Sequence, residues 1–241
     1  MISVIVPTLE EEENIYDLVL DIERHCSSYN KEVFILDDGS QDSTFSRAAE
    51  AAEKIESAEV ISRDGRRGIG AAILEGMNKA SGEIAVPIGA DFSHPVERIP
   101  DLVEEIESGS EVAIGSRYVA GGSRNDPFHR RINPLIGSFL YQNLLGTPVK
   151  DVTSGFKAYN RRAREHLLEV EHHLPDGFHF QAASLVSLYE NGHDLSEVPI
   201  DFRPRRAGKP KYGLSDLLDN VRLLLKLSSR KHLYRSRSGI Y

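Results

Sequence analysis

Tryptophan is absent from this chain of 241 residues, and cysteine occurs once, as Cys26. A single cysteine excludes an intramolecular disulfide framework and suits a reducing compartment. Cys26 falls inside an expected helix and is not read as a nucleophile. No stretch approaches the ~20 consecutive apolar residues needed to span a bilayer. The first residues, M-I-S-V-I-V-P, run straight into a strand-like segment without a basic n-region, so no secretory signal is expected. Internal repeats, low-complexity tracts and long Pro- or Ser-rich linkers are also missing, which favours one continuous domain. Positive charge is in the minority: 29 Lys and Arg stand against 37 Asp and Glu, for a formal charge of -8. That balance argues against a protein that coats nucleic acid, so any anion site must be local.

What the chain does have is alternation. Short apolar runs at Ile2–Val6, Val33–Leu36, Val60–Ser62, Ile84–Ile88 and Val112–Gly115 are separated by segments of helical period near 14–26, 44–56, 69–80 and 96–107. Strands alternating with helices predict an α/β fold with a mostly parallel sheet covered on both faces. After Gly115 the texture changes. Residues 120–160 are rich in Gly, Arg, Asn and Pro, helices are expected near 176–190 and 214–227, and Glu197–Phe202 reads as one further strand. This second half is expected to elaborate one edge of the sheet.

Ligands in such sheets bind at the carboxyl ends of the strands, so the polar residues there carry the functional reading. The first strand ends in P7-T-L-E-E-E-E-N14, where a dinucleotide fold would need a glycine-rich turn. Four glutamates would repel a pyrophosphate but can accept hydrogen bonds from a base or ribose; the alternative is that they complement a helix N-terminus. The second strand gives D37-D-G-S-Q-D-S-T44, in which Gly39 permits a tight turn and Asp42 or Ser43 can cap the next helix. Two adjacent acids there call for donors from a ligand or metal. R63-D-G-R-R-G-I-G70 could hold phosphate, although its glycines miss the dinucleotide spacing. The fourth strand leads to G89-A-D91 and the fifth to G115-S-R117. Arg117 follows a buried strand, where an ion needs a counter-charge. His94, beside Pro95, is read as a buttress of its turn.

Taken together, these segments resemble the inverting nucleotide-diphospho-sugar glycosyltransferases of family 2, with the GT-A fold, and within them the dolichyl-phosphate mannose synthase branch. The residues that carry the resemblance are P7-T-L-E-E11, D37-D-G-S-Q-D-S-T44, G68-I-G-A71, A90-D-F-S-H-P95, G115-S-R-Y-V-A-G-G122, R130-R131, D151-V-T-S-G-F156, F180-Q181, E197-V-P-I200 and R205-R-A-G-K-P-K211. The resemblance implies one GT-A domain over 1–227, with a nucleotide-sugar half (1–118), an acceptor half (119–227) and a basic tail (228–241). It implies that Pro7, Leu9, Glu11, Asp37 and Asp38 surround the base and ribose, and that Arg205 and Lys211 close over the donor diphosphate. Asp91 would ligate a divalent metal, Mg2+ or Mn2+. Arg117 and Arg131, with Arg130 and Ser138 beside them, would hold the phosphate of a polyprenyl (dolichyl) acceptor. The implied donor is GDP-mannose, with UDP-glucose next, and the reaction is a single displacement with inversion.

Several positions depart from the family pattern: Gly89 replaces the first acid of the Asp-x-Asp motif, and Glu10, Pro134, Ala183 and Pro210 stand where Asn, Ser, Glu and Ser are usual. These changes keep open a homologue that binds a nucleotide-sugar without turning it over. A nicotinamide-dependent oxidoreductase is disfavoured by the acidic first turn. The basic, leucine-containing segment from Val221, together with Phe128, Ile132, Leu135, Phe139 and Tyr141, suggests peripheral attachment to the cytoplasmic face of a membrane. The sequence fixes no oligomeric state.

Overall fold

The computed structural model of the protein describes residues 1–55, 57–64, 68–124 and 146–208. Within these, β1 (Ile2–Thr8), α1 (Ile15–His25), β2 (Lys31–Asp37), α2 (Thr44–Ala52), β3 (Ala58–Ser62), α3 (Ile69–Lys79), β4 (Ile84–Pro87), α4 (Ile99–Glu107) and β5 (Val112–Ser116) alternate as expected. They are followed by β6 (Ser123–Arg124), β7 (Lys157–Asn160), α5 (Arg161–Glu169), α6 (Phe180–Glu190), β8 (Leu195–Pro199) and β9 (Asp201–Phe202).

The sheet runs β3-β2-β1-β4-β7-β5-β8. Neighbours β3, β2, β1 and β4 are parallel, β7 is antiparallel to both β4 and β5, and β8 is parallel to β5. Successive side chains of a strand point to opposite faces, and here both faces are dry. Along β1, Ile2, Val4 and Val6 join the core beneath α1, α2 and α4, while Ile5 joins the core beneath α3, α5 and α6. β2 divides the same way, with Val33 and Ile35 on one side and Phe34 and Leu36 on the other.

The helices present matching stripes. Ile15, Leu18, Val19 and Ile22 of α1, and Ile99, Leu102, Val103 and Ile106 of α4, recur at three- and four-residue intervals and are buried. Almost every residue of α6 is buried, as befits a helix that is apolar nearly all round.

The second half departs from expectation in three ways. First, β7 enters the sheet between β4 and β5 instead of adding only to an edge, so part of this half completes the central layer. Second, the expected strand at Glu197–Phe202 breaks at Ile200: β8 stays in the main sheet, while β9 pairs with β6 in a separate two-stranded sheet. That break turns Phe202 and the residues after it back across the carboxyl end of the sheet. Third, the helix expected from 176 begins at Phe180, and the backbone oxygen of Asp176 instead accepts the N–H groups of Gly70 and Ala71 at the start of α3. The expected helix near 96–107 opens with a 3-10 turn at Val96–Arg98 before α4. The segment expected as a helix near 214–227 lies outside the described residues.

Close helix–sheet approach depends on Gly76 of α3. A Cβ there would stand 2.5 Å from Cγ2 of Ile5, a fully buried side chain in the middle of β1. Gly76→Ala is therefore expected to destabilise the fold by about 1–3 kcal/mol through overpacking. Urea denaturation checks this, and an unchanged midpoint would mean that α3 can withdraw from β1 at no cost.

Candidate active site

The turn after β1 is stitched to the turn after β2. Glu10 N donates to Ser40 Oγ (2.8 Å), and Glu11 N donates to Thr44 Oγ1 (2.7 Å). Glu10 adopts φ 47, a conformation that L-residues seldom take. Pro7 lies near the end of β1 and is half-buried, and Leu9 is exposed. The four glutamates separate into different roles. Glu12 accepts from Ser43 N (2.9 Å) at the start of α2, as an acid complementing a helix N-terminus does. Glu11 is buried to 5 % exposure and accepts from Asn14 Nδ2 (2.9 Å) and from Arg205 Nη1 (2.8 and 3.0 Å).

The adjacent acids after β2 find protein donors. Asp37 accepts from the backbone N–H (3.1 Å) and hydroxyl of Ser40, around Gly39 at φ 79. Asp38 accepts from the guanidinium of Arg63 and from Gly68 N (2.7 Å). Arg63 is itself almost fully buried, and its Nε reaches Glu75 (2.8 Å). The expectation that only a ligand or metal could reconcile these two carboxylates is thus corrected: the chain supplies a serine, an arginine and a backbone amide. Asp42, by hydrogen bonds to Thr44 N and Oγ1, secures the start of α2, whereas the Ser43 side chain makes no cap bond.

Beyond β4, Asp91 stands half-buried at the mouth. Its Oδ1 accepts from Ser93 N (3.0 Å), and its Oδ2 lies 3.3 Å from Arg205 Nη2. Arg205 thereby joins the first-strand acid, Glu11, to the fourth-strand acid, Asp91. The segment 203–207 is strapped over this loop by Arg203 N to Ser93 O (2.9 Å), Arg206 N to Asp91 O (3.1 Å) and Asn14 Nδ2 to Ala207 O (3.3 Å). Phe92 takes φ 59 beneath the Arg206 guanidinium, 4.9 Å from its ring centre. For a bulky side chain that backbone is strained, and such strain collects at ligand-handling loops.

His94 packs between Phe156 (ring centres 5.5 Å apart, stacked) and Phe202 (5.3 Å, edge-on). Burial, reinforced by Arg117 and Lys157, pulls its pKa down to about 4 against the pull of Asp91 and Asp151. The imidazole is neutral at neutral pH. Its Nδ1 is buried without a hydrogen-bond partner among the described residues.

At the end of β5, Arg117 grips Asp151 bidentately, Nε to Oδ2 and Nη2 to Oδ1, both 2.6 Å. Arg117 N also donates to Asp151 Oδ2 (3.0 Å), and Nη2 reaches Thr153 Oγ1 (3.0 Å). The counter-charge that Arg117 requires is therefore Asp151, which is fully buried and in turn held through its own N–H by Glu197 (3.0 Å). Phe202 offers its face to Arg117 (5.2 Å) and Arg124 (5.4 Å). Lys157, fully buried, donates to Ser154 O, Gln181 O (3.1 Å) and Gln181 Oε1 (3.0 Å), and desolvation pulls its pKa down to about 7.

The structure thus brings Pro7, Leu9, Glu11, Asp37, Asp38, Asp91, Arg117 and Arg205 to the carboxyl ends of β1, β2, β4 and β5 or the strap above them. Arg130, Arg131, Ser138 and Lys211 lie outside the described residues. Sequence reasoning did not foresee the parts played by Arg63, Asp151, Lys157 and Phe202. Of these, Asp151 had a signal, since it opens the quoted D151-V-T-S-G-F156 segment. Cys26 is buried, its thiol pushed up to about 11, which agrees with an inert packing role.

Comparisons with known proteins give the family and the fold. The glycosyl transferase family 2 profile covers residues 3–168. A dolichol-phosphate mannosyltransferase of Pyrococcus furiosus is 33% identical over 231 residues, 94% of this chain and 63% of that protein. The chain therefore spans less than two thirds of that relative's length. A polyprenol monophosphomannose synthase of Mycolicibacterium smegmatis is 31% identical over 242 residues, 98% of this chain and 90% of that one. Among solved structures, Mycobacterium tuberculosis glucosyl-3-phosphoglycerate synthase in complex with Mn2+, UDP-glucose and phosphoglyceric acid aligns with a TM-score of 0.74. At 21% identity, over 95% of this chain and 80% of that one, it shares the GT-A fold. By the extent of the profile match and of both relatives, the chain belongs to glycosyl transferase family 2.

Proposed function

We propose that this protein transfers a hexose, in the first instance mannose from GDP-mannose, to the phosphate of a polyprenyl lipid such as dolichyl phosphate, with inversion at the anomeric carbon. The observation that carries the reading is the Glu11–Arg205–Asp91 chain of charges at the mouth of the sheet. It offers an acid toward the nucleoside turn, a guanidinium for phosphate and an accessible carboxylate for a metal. The names of the two curated relatives support the acceptor and the sugar.

The residues fit a divalent ion, Mg2+ or Mn2+, on limited terms. Asp91 has one carboxylate oxygen facing only a guanidinium, and no cluster of three His, Cys, Asp or Glu occurs among the described residues. The remaining ligands would come from diphosphate oxygens and water, as hard cations accept. When bound, the ion would neutralise charge developing on the departing nucleoside diphosphate.

The chain's own residues do the rest. Arg205 releases Asp91 and turns to the diphosphate, and Glu11 and the turn around Asp37 and Asp38 orient the nucleoside. Arg117, set at a fixed angle by Asp151, meets the acceptor phosphate with Arg130, Arg131 and Ser138. An acceptor phosphate oxygen is already an anion at neutral pH, so no general base is required. The catalytic task is to hold two mutually repelling anions in line. In this reading residues 1–118 bind the donor and 119–227 the acceptor, while the basic segment to 241 rests on the cytoplasmic surface of a membrane. Among the described residues no helix is long and apolar enough to cross one.

The deciding experiment is transfer of labelled sugar from GDP-mannose and from UDP-glucose to a short polyprenyl phosphate, with Mn2+ or Mg2+ and with EDTA. Lipid-linked mannose that EDTA abolishes is the expected result. Product from UDP-glucose alone would change the sugar. No product from either donor, with nucleotide still bound, would favour the binding-only homologue that Gly89 raises.

Two variants refine the roles. Asp91→Asn is expected to cut transfer by about 10²–10³-fold, the scale on which a preorganised electrostatic contact acts. Titrating the metal at fixed donor checks it. Arg117→Lys keeps the charge but loses the paired geometry with Asp151. Its kcat/KM for the lipid phosphate should fall by roughly 10–100-fold while the KM for the donor holds, as expected when one bidentate contact is lost.

A further inference from the structure

Gly89 is a glycine without a structural reason to be one. Its backbone is outside the left-handed region, and among the described residues other than its chain neighbours a Cβ built on it would meet nothing nearer than 3.8 Å. Among the described residues, its own chain neighbours aside, the atoms within 4 Å of that point are Asp91 Oδ1 and His94 Nδ1, each at 3.8 Å. Neither backbone nor packing therefore forbids a carboxylate here. Gly89 is half-buried, and the position its side chain would take faces one carboxylate oxygen and one buried imidazole nitrogen.

The nitrogen is the anomaly. Among the described residues Nδ1 of His94 is buried and unpaired, although buried polar atoms in native proteins nearly always find a partner and one left alone calls for an explanation. The ring cannot easily turn elsewhere, because Phe156 stacks on it and Phe202 abuts it edge-on. Gly155 lies against Cε1, 3.4 Å from where its own Cβ would be. A neutral imidazole fixed in this way presents a lone pair or an N–H toward Gly89 and Asp91, and neutral imidazole nitrogen is a common metal ligand.

We propose that His94 Nδ1 is the second protein ligand of the divalent metal, beside Asp91, in the space that the side chain absent at Gly89 leaves free. The proposal rests on the donor-binding reading above and deepens it. It turns a motif that has lost an acid into a mixed nitrogen–oxygen site. One consequence is a change in metal choice, since an imidazole nitrogen favours first-row transition ions over Mg2+, which prefers oxygen ligands.

The test is binding of Mn2+ to the protein in the presence of GDP, followed by calorimetry and by pulsed electron spin resonance, with no turnover needed. In the unaltered protein, nitrogen modulation from one imidazole should appear on the bound Mn2+. His94→Phe, which preserves the aromatic stack, should abolish that modulation and weaken Mn2+ binding by about 10-fold or more, on the scale of lost metal-site contacts. Gly89→Asp in the His94→Phe background should restore affinity without restoring the nitrogen signal. Thermal unfolding of each variant checks the fold, and the spectrum of the unaltered protein stands without any variant.

Mn2+ that binds the protein–GDP complex tightly but shows no nitrogen coupling overturns the role of His94 and leaves the donor reading intact. The partner of Nδ1 would then be a water. Failure of GDP and Mn2+ to bind at all overturns both.

Discussion

A sheet buried on both faces has nowhere to put charge except at its ends, and that constraint organises this molecule. β1, β4 and β5 carry apolar side chains into two separate cores. Ionic groups are consequently expelled to the strand termini, and the parallel run gathers the carboxyl ends of β1, β2 and β4 on one rim, joined by β5. Charges so concentrated must be neutralised locally, because a buried or half-buried ion without a partner is far more costly than a paired one. The outcome is a set of interlocked pairs: Asp38 with Arg63, Asp151 with Arg117, and Glu11 and Asp91 with Arg205.

These pairs differ in what they can do. Arg63–Asp38 and Arg117–Asp151 are nearly solvent-free and geometrically fixed, so they act as rigid supports for the turns after β2 and β5. Arg205 is more accessible, and its contact with Asp91, at 3.3 Å, is the longest of the set. A guanidinium there can exchange a carboxylate for a phosphate at modest cost, since the screened pair it surrenders is weak. Rigid pairs set the angles, and the loose one can move.

Much of this was legible in the sequence, because parallel strands place their polar sequels at one rim in a fixed order. P7-T-L-E-E11, D37-D-G39, A90-D91 and G115-S-R117 all fall where the alternation put them. What stayed hidden depended on partners distant in sequence. Arg205 and Glu11 are 194 positions apart, and nothing local in either segment announces the other. Strand β7 was missed for a related reason. It is four residues long, contains Lys157 and Asn160, and becomes a strand only because β4 and β5 leave a gap and Gln181 satisfies the buried ammonium. Tertiary contact there overrides local propensity. The break at Ile200 is similar: E197-V-P-I-D-F202 reads as one run, yet Phe202 is drawn away to two guanidiniums and the His94 ring.

The same pairing of charges would govern how ligands bind. In the proposed reaction two anionic substrates would meet in a region where the described guanidiniums near the mouth already have carboxylate or aromatic partners. Binding is then an exchange of partners and not the filling of an unpaired field. Exchange yields less net affinity than a preformed, unpaired anion hole, because each new phosphate contact costs an existing one. It also makes order matter. In the proposed reaction, a donor that first drew Arg205 from Asp91 would leave that carboxylate with only the Ser93 N–H, and a half-buried carboxylate without a counter-charge is an attractive place for a cation. Nucleotide and metal binding would thus be coupled through Arg205, each lowering the cost of the other, while Asp151 keeps Arg117 in register.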